Sequence, residues 1–237
     1  MTSIKLSKRQ LKFELTIVLA LSLGASAIYS VLSLIGALLS PKGLAGSNQT
    51  LNSAVSSNPW LDTAYQLSGF AFNIAPAALA IYLLIVSNSQ TLISLGLNFK
   101  KADPLKAVVL AASIGIPGIA LYLAARSLGL AANVHPSNYQ ASALAIAFMV
   151  MAAIAAAVTE EVIVIGYLFD RLARLGFNAK LILILTSLLR GSYHLYQGAA
   201  GFFGNLVMGL VFGLAYKRWG RIMPLVIAHT IMDCVVF

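Results

Sequence analysis

Five ionisable residues stand inside long apolar runs of this chain: Glu160, Glu161, His194, His229 and Asp233. A carboxylate and a histidine that share a water can turn it into a nucleophile, the carboxylate taking its proton and the imidazole orienting it. A second histidine with a neighbouring carboxyl can stabilise a tetrahedral oxyanion. The set Glu160, His194, His229 and Asp233 can equally hold a divalent metal such as zinc. Spacing does not choose between these chemistries. His229 and Asp233 are separated by four residues, so a helix puts them on one face. Glu160 and Glu161 are adjacent and diverge by about 100° around a helix, so one faces the site and the other braces a neighbour.

Composition explains why these residues stand out. The chain has 237 residues, 59% hydrophobic and 10% charged, against ~25% charged in an average soluble domain. With a mean hydropathy of +0.88, this excludes a disordered chain, a disulfide scaffold and a water-soluble enzyme. It predicts an all-α, polytopic bundle forming a single integral membrane domain over residues 1–237. The single cysteine, Cys234, excludes an internal disulfide and a Cys-based metal cluster. Ionisable groups at bilayer depth cost from a few kcal/mol upward, so their default reading is functional. The net charge of +9 comes from bases clustered between apolar runs. That pattern fits anionic lipid at the cytosolic leaflet rather than nucleic acid.

A spanning helix needs roughly 20 mainly apolar residues, and seven segments qualify or nearly so: Leu15–Leu39, Ala64–Val86, Ala107–Ala125, Ala141–Phe169, Leu181–Tyr196, Gly201–Tyr216 and Ile222–Phe237. The last three are short. Pro76 and Pro117 are expected to kink the second and third. The first exceeds a signal-peptide core of ~7–15 residues and reads as an uncleaved helix. Lys5, Lys8, Arg9 and Lys12 precede the first segment. Lys100, Lys101 and Lys106 follow the second, Arg171, Arg174 and Lys180 the fourth, and Lys217, Arg218 and Arg221 the sixth. The alternate loops, Ser40–Thr63, Ser127–Gln140 and Gln197–Ala200, hold only Lys42 among the bases. The positive-inside rule therefore puts the N-terminus in the cytosol.

Glu14, Asp62, Asp103 and Asp170 fall near segment ends and read as solvated, as does His135. Ser47–Asn58, rich in Ser and Asn, reads as a flexible outside loop. Gly201, Gly204, Gly209 and Gly213 read as close helix contacts. Tyr193, Tyr196 and Gln197 stand beside His194 and read as interface residues rather than site residues. At 1.5 Å per helical residue, Glu160 and Glu161 lie ~15 Å from the cytosolic charges. His194 lies ~21 Å in, and His229 and Asp233 ~12 and ~18 Å in. In a ~30 Å hydrocarbon core all five fall near the middle.

Three ordered motifs carry a family resemblance: Glu160-Glu161 within Glu160–Leu168, His194 within Arg190–Gly198, and His229-Thr230-Ile231-Met232-Asp233. A double Glu, a His on the next helix and a final His-x-x-x-Asn/Asp resemble the CPBP family. These are the intramembrane CAAX-processing and bacteriocin-processing endopeptidases, also called the Abi family. The resemblance covers residues 141–237, which it marks as a catalytic core. It implies that Glu160 and His194 activate water while His229 and Asp233 support the oxyanion, with Glu161 in a supporting role. Two positions depart from the pattern. Ile165 stands where the family often has Arg, four residues after the second Glu. Arg190 stands where it often has Phe, four residues before the middle His. The displaced charge suggests that Arg190 partners Glu161.

The resemblance implies a multi-pass bacterial plasma-membrane protease that opens a cavity to the cytosol and cuts a membrane-presented peptide. Two other classes compete. A proton-coupled transporter also strings Glu and His through the membrane, but it predicts two related halves, and the sequence shows no such repeat. A catalytically inactive family member acting as a scaffold or immunity protein draws only on the lost Arg at Ile165.

Overall fold

The structure is a computed structural model that describes residues 6–88, 91–138 and 142–236. The expectations placed at Lys5, Gln140, Ala141 and Phe237 lie outside the described residues. The chain runs as α1 (Lys8–Ala20), α2 (Leu23–Leu39), β1 (Asn48–Asn52), α3 (Pro59–Asn88), α4 (Asp103–Ser127) and β2 (Asn133–Ser137). It continues as α5 (Ala143–Glu161), a π-helical turn (Val162–Tyr167), α6 (Leu168–Leu175) and α7 (Ala179–Ser192). A 3₁₀ turn (Leu195–Gln197), α8 (Ala199–Trp219) and α9 (Met223–Val236) complete it. Local chemistry sets the ends. Ser7 and Gln10 form a capping box at α1, and Ser142 and Asn178 cap α5 and α7 by accepting backbone N–H groups. Gly176, left-handed at φ 100°, ends α6.

Among the described residues, four stretches are long and apolar enough to cross a membrane: Pro59–Ser87, Asp103–Ser127, Ala143–Leu175 and Ala199–Trp219. The expected first span is instead a broken one, since α1 and α2 meet at a 50° bend. A Cβ on Gly24, just past the break, would sit 2.7 Å from the Leu19 carbonyl oxygen, so the close approach of the two helices requires glycine there. The expected fifth and seventh spans come out as the 14-residue helices α7 and α9. Helix α7 stops at Ser192, short of Tyr196, because the chain turns there to return as α8.

Burial is inverted relative to a soluble protein. Trp60, Phe72, Ile93 and Leu105 are largely exposed, whereas Glu161, Arg171, Arg190 and Asp103 are fully buried. An apolar exterior around charged interior groups is what a bilayer solvent selects. The four acids read as solvated are all partnered, because each lies where charge would otherwise be left without water. Glu14 Oε1 accepts from Arg171 Nε at 2.7 Å and from the Tyr167 hydroxyl at 2.8 Å. Asp170 accepts from Arg171 and Arg174, and Asp62 caps the backbone N–H groups of Val55 and Ser56. Asp103 takes Arg221 on both oxygens, at 3.2 and 2.8 Å. Arg171 and Arg221, counted by sequence among the loop charges, are thus interior cross-links. Arg171 also donates to Ser87 Oγ and to the Leu83 carbonyl, so it joins α1, α3 and α6.

The connections sort into two groups. Ser47–Asn58 is not a free loop. Within it β1 pairs in parallel with β2, from Asn48 opposite Asn133 to Asn52 opposite Ser137. Asn133 Nδ2 donates to Asn48 Oδ1 at 3.0 Å and approaches His135 Nε2 at 2.8 Å, so His135, though exposed, is bonded. Gly198 bridges Ala131 in the same layer. On the other group, the Leu95–Gly96 turn receives the backbone N–H groups of Ile222 and Met223. Of the four glycines read as contacts, Gly209 meets Ser187 and Gly213 meets Leu183, both on α7, and Gly201 meets the His194 carbonyl, whereas Gly204 has only a distant Leu121. The Arg171 junction yields a test. Arg171→Ala should cost about 3–5 kcal/mol by orphaning buried partners, against about 1 kcal/mol or less for Arg174→Ala, whose pair is partly exposed. Melting in detergent would show the difference, and equal losses would contradict it.

Candidate active site

The site is built by α5, the turn after α7, and α9. Val162, Ile163, Val164 and Ile165 follow the acidic pair and are fully buried. They adopt a π-helical turn instead of continuing α5. A π turn inserts an extra residue into the ladder and so re-aims the side chains on either side of it; such turns concentrate at functional sites. Gly166 lets the turn pack tightly, since a Cβ there would lie 2.9 Å from Ile222 Cδ1. Nothing in the residue types of Val162–Tyr167 marks the turn, which only the fold shows.

Glu160 and Glu161 divide as adjacent helical residues must. Glu161 is fully buried and braces: its Oε1 accepts from Arg190 Nη2 at 2.6 Å and meets His229 Nδ1 at 2.8 Å. The structure therefore pairs Arg190 of α7 with Glu161 of α5 across the bundle, and Arg190 also packs over the Phe212 ring. An ionised carboxylate only accepts, so His229 Nδ1 is assigned the proton and its Nε2 faces the other way. Glu160, partly exposed, points into the site. Its Oε2 accepts from the Tyr193 hydroxyl at 2.6 Å and lies 4.0 Å from both His194 Nε2 and His229 Nε2. Asp233 Oδ2 is 3.6 Å from His229 Nε2.

All six residues singled out by sequence converge, but His194 does so differently from expectation. It lies beyond the end of α7, in the turn before the 3₁₀ segment, not within a spanning helix. Its ring stacks near Tyr196 and packs against Tyr193, with centroids 6.3 and 4.8 Å away. Both ring nitrogens are buried without a hydrogen-bond partner among the described residues. Serine 30 of α2 fixes the turn: Ser30 Oγ accepts the Tyr196 backbone N–H at 2.8 Å. Tyr193, read as an interface residue, is thus a direct contact of Glu160. Ser30 lies more than a hundred positions away in sequence and carried no signal.

A gap of 4.0 Å is too long for a direct hydrogen bond, yet one water can sit within hydrogen-bond reach of Glu160 Oε2 and either Nε2. Zinc–oxygen and zinc–nitrogen bonds of about 2.0–2.2 Å across the same gap would enclose an angle of at least about 135°, wider than tetrahedral. Among the described residues no group of three or more His, Cys, Asp or Glu side chains is placed to hold a metal ion. The arrangement as folded brings two carboxyl groups, Glu160 and Asp233, within 4.0 Å of the His229 imidazole, with His194 as close to Glu160.

One family model, described as type II CAAX prenyl endopeptidase Rce1-like, matches residues 142–235. No curated protein and no solved structure matches the chain. The matched stretch starts one residue before α5 and ends within α9, so it takes in both glutamates, the His194 turn and the His229–Asp233 face. Residues 142–235 of this integral membrane chain are thus similar to an Rce1-like domain, in line with the CPBP resemblance of the three motifs.

Proposed function

We propose that the chain is an intramembrane endopeptidase that hydrolyses a peptide bond with a water held by Glu160 and His194. The observation that carries this reading is the placement of Glu160 Oε2 at 4.0 Å from two imidazole Nε2 atoms. Water between Glu160 and His194 gives its proton to the carboxylate as its oxygen attacks the carbonyl carbon. The developing oxyanion is met by His229, whose Nε2 can donate once the ring is protonated, with Nδ1 held on Glu161. Asp233 favours that cation from 3.6 Å. The proton on Glu160 then passes to the leaving amine as the carbon–nitrogen bond breaks. Hydrolysis balances with no group consumed.

The substrate class follows the family description: a prenylated CAAX tail or another peptide presented at the membrane. Residues 141–237 serve as the catalytic core of one integral membrane domain. About seven segments enter the bilayer, and the N-terminus lies in the cytosol. The contacts between connections support that topology. The weakly basic loops meet one another through β1, β2 and Gly198, and the basic ones meet through Arg221 and the Leu95–Gly96 turn. Lys106, packed over Trp219, belongs to the basic group, which suits anionic lipid of a bacterial plasma membrane.

Glu160→Gln and His194→Ala should each lower cleavage of a membrane-presented peptide library, prenylated CAAX tails included, by at least ~100-fold. Cleavage retained by both variants overturns the protease reading. The brace behind the site gives a second outcome. Arg190→Ala leaves Glu161 buried and short of a cation, so melting in detergent should reveal a loss of about 3–5 kcal/mol. Adding Glu161→Gln should restore part of it, because the orphaned charge is then gone. Full tolerance of Arg190→Ala contradicts the brace.

A further inference from the structure

Tyr193 contacts both members of the proposed water-activating pair. Its hydroxyl donates to Glu160 Oε2 at 2.6 Å, and its ring lies 4.8 Å from the His194 ring at a 45° tilt. It is buried, at 5% exposure, so the phenol does not compete with solvent for the carboxylate. Among the described residues no Lys or Arg side chain lies within hydrogen-bond reach of Glu160, and Arg190 is committed to Glu161. The carboxylate would be free to rotate away from the two imidazoles if nothing held it.

We propose that Tyr193 is a positioning residue for the reaction proposed above. Its hydroxyl locks the Glu160 carboxylate, and its ring sets His194 beside it, so that one water meets both. The proposal rests on the protease reading. One lone pair of Oε2 is occupied by the phenol, which leaves the rest of the carboxylate to take the proton of the water. Tyr193 neither gains nor loses a proton in this role. It acts through Glu160 and His194, not on the water or the peptide itself. The anchor for the whole turn comes from outside the matched domain, where Ser30 accepts the Tyr196 N–H and keeps residues 193–196 against α2.

The test separates the hydroxyl from the ring. Tyr193→Phe keeps the ring and removes only the hydrogen bond. It should lower kcat about tenfold to a hundredfold with KM unchanged, as expected when a reacting group loses its orientation. Tyr193→Leu removes both contacts and should lose more. A purely structural tyrosine would lower the melting temperature without this split in kcat and KM. The hydrogen bond is read separately by a double-variant cycle in thermal unfolding with Tyr193→Phe, Glu160→Gln and their combination. Non-additive melting shifts support the contact. Additive shifts, or wild-type kcat in Tyr193→Phe, overturn the proposal. If the unsubstituted protein cleaves no peptide of the library, the protease reading fails and the proposed role falls with it. The unfolding cycle then still reports whether Tyr193 holds Glu160.

Discussion

A carboxylate buried away from water has to be met by donors in good geometry, or it destabilises the fold by several kcal/mol. Glu161 is that carboxylate here, and much of the site hangs on how it is met. Arg190 reaches it from α7 and His229 from α9, both on Oε1. Glu161 itself sits at the end of α5. Three elements distant in sequence are therefore pinned through one oxygen atom. Each of them also carries or adjoins a residue of the candidate site: Glu160, the His194 turn, and His229 with Asp233.

The same constraint operates at the other charged junctions. Arg171 ties α1, α3 and α6 together, and Arg221 ties the start of α4 to the turn before α9. In water such pairs would add little, because exposed ions are solvated whether or not they meet. Inside an apolar bundle they specify which helices are neighbours, since every alternative arrangement leaves a charge alone. Dispersion between apolar faces is far less selective. The bundle is thus held in register by a handful of polar groups, and the site is the densest of these clusters.

Much of this could be read from residue types. The long apolar runs mark most of the helices, and the five ionisable groups along them are side chains that the fold brings together. What could not be read was set by non-local partners or by backbone detail. Arg171 looks like a flanking loop charge until α1 and α3 close over it. Asn48–Asn52 has none of the alternation of a strand and becomes one only by meeting Asn133–Ser137, some eighty residues later. The length of α7 depended on where the chain reverses, which hydropathy does not mark. Tyr193 beside a histidine is ordinary near a membrane interface; only the fold brings its hydroxyl to Glu160.

The departures from the family pattern now have one physical account. At Ile165, four residues after Glu161, an arginine would have had to lie within the same π turn, where every side chain is fully buried. Supplying the cation from Arg190 instead frees that turn to be wholly apolar and pack as core. It also changes what the ion pair does. A partner on its own helix would steady Glu161 locally, whereas a partner on α7 draws α5 toward the helix that ends in the His194 turn. The charge that neutralises Glu161 thereby helps to set the distance between Glu160 and His194, on which the proposed activation of a shared water depends.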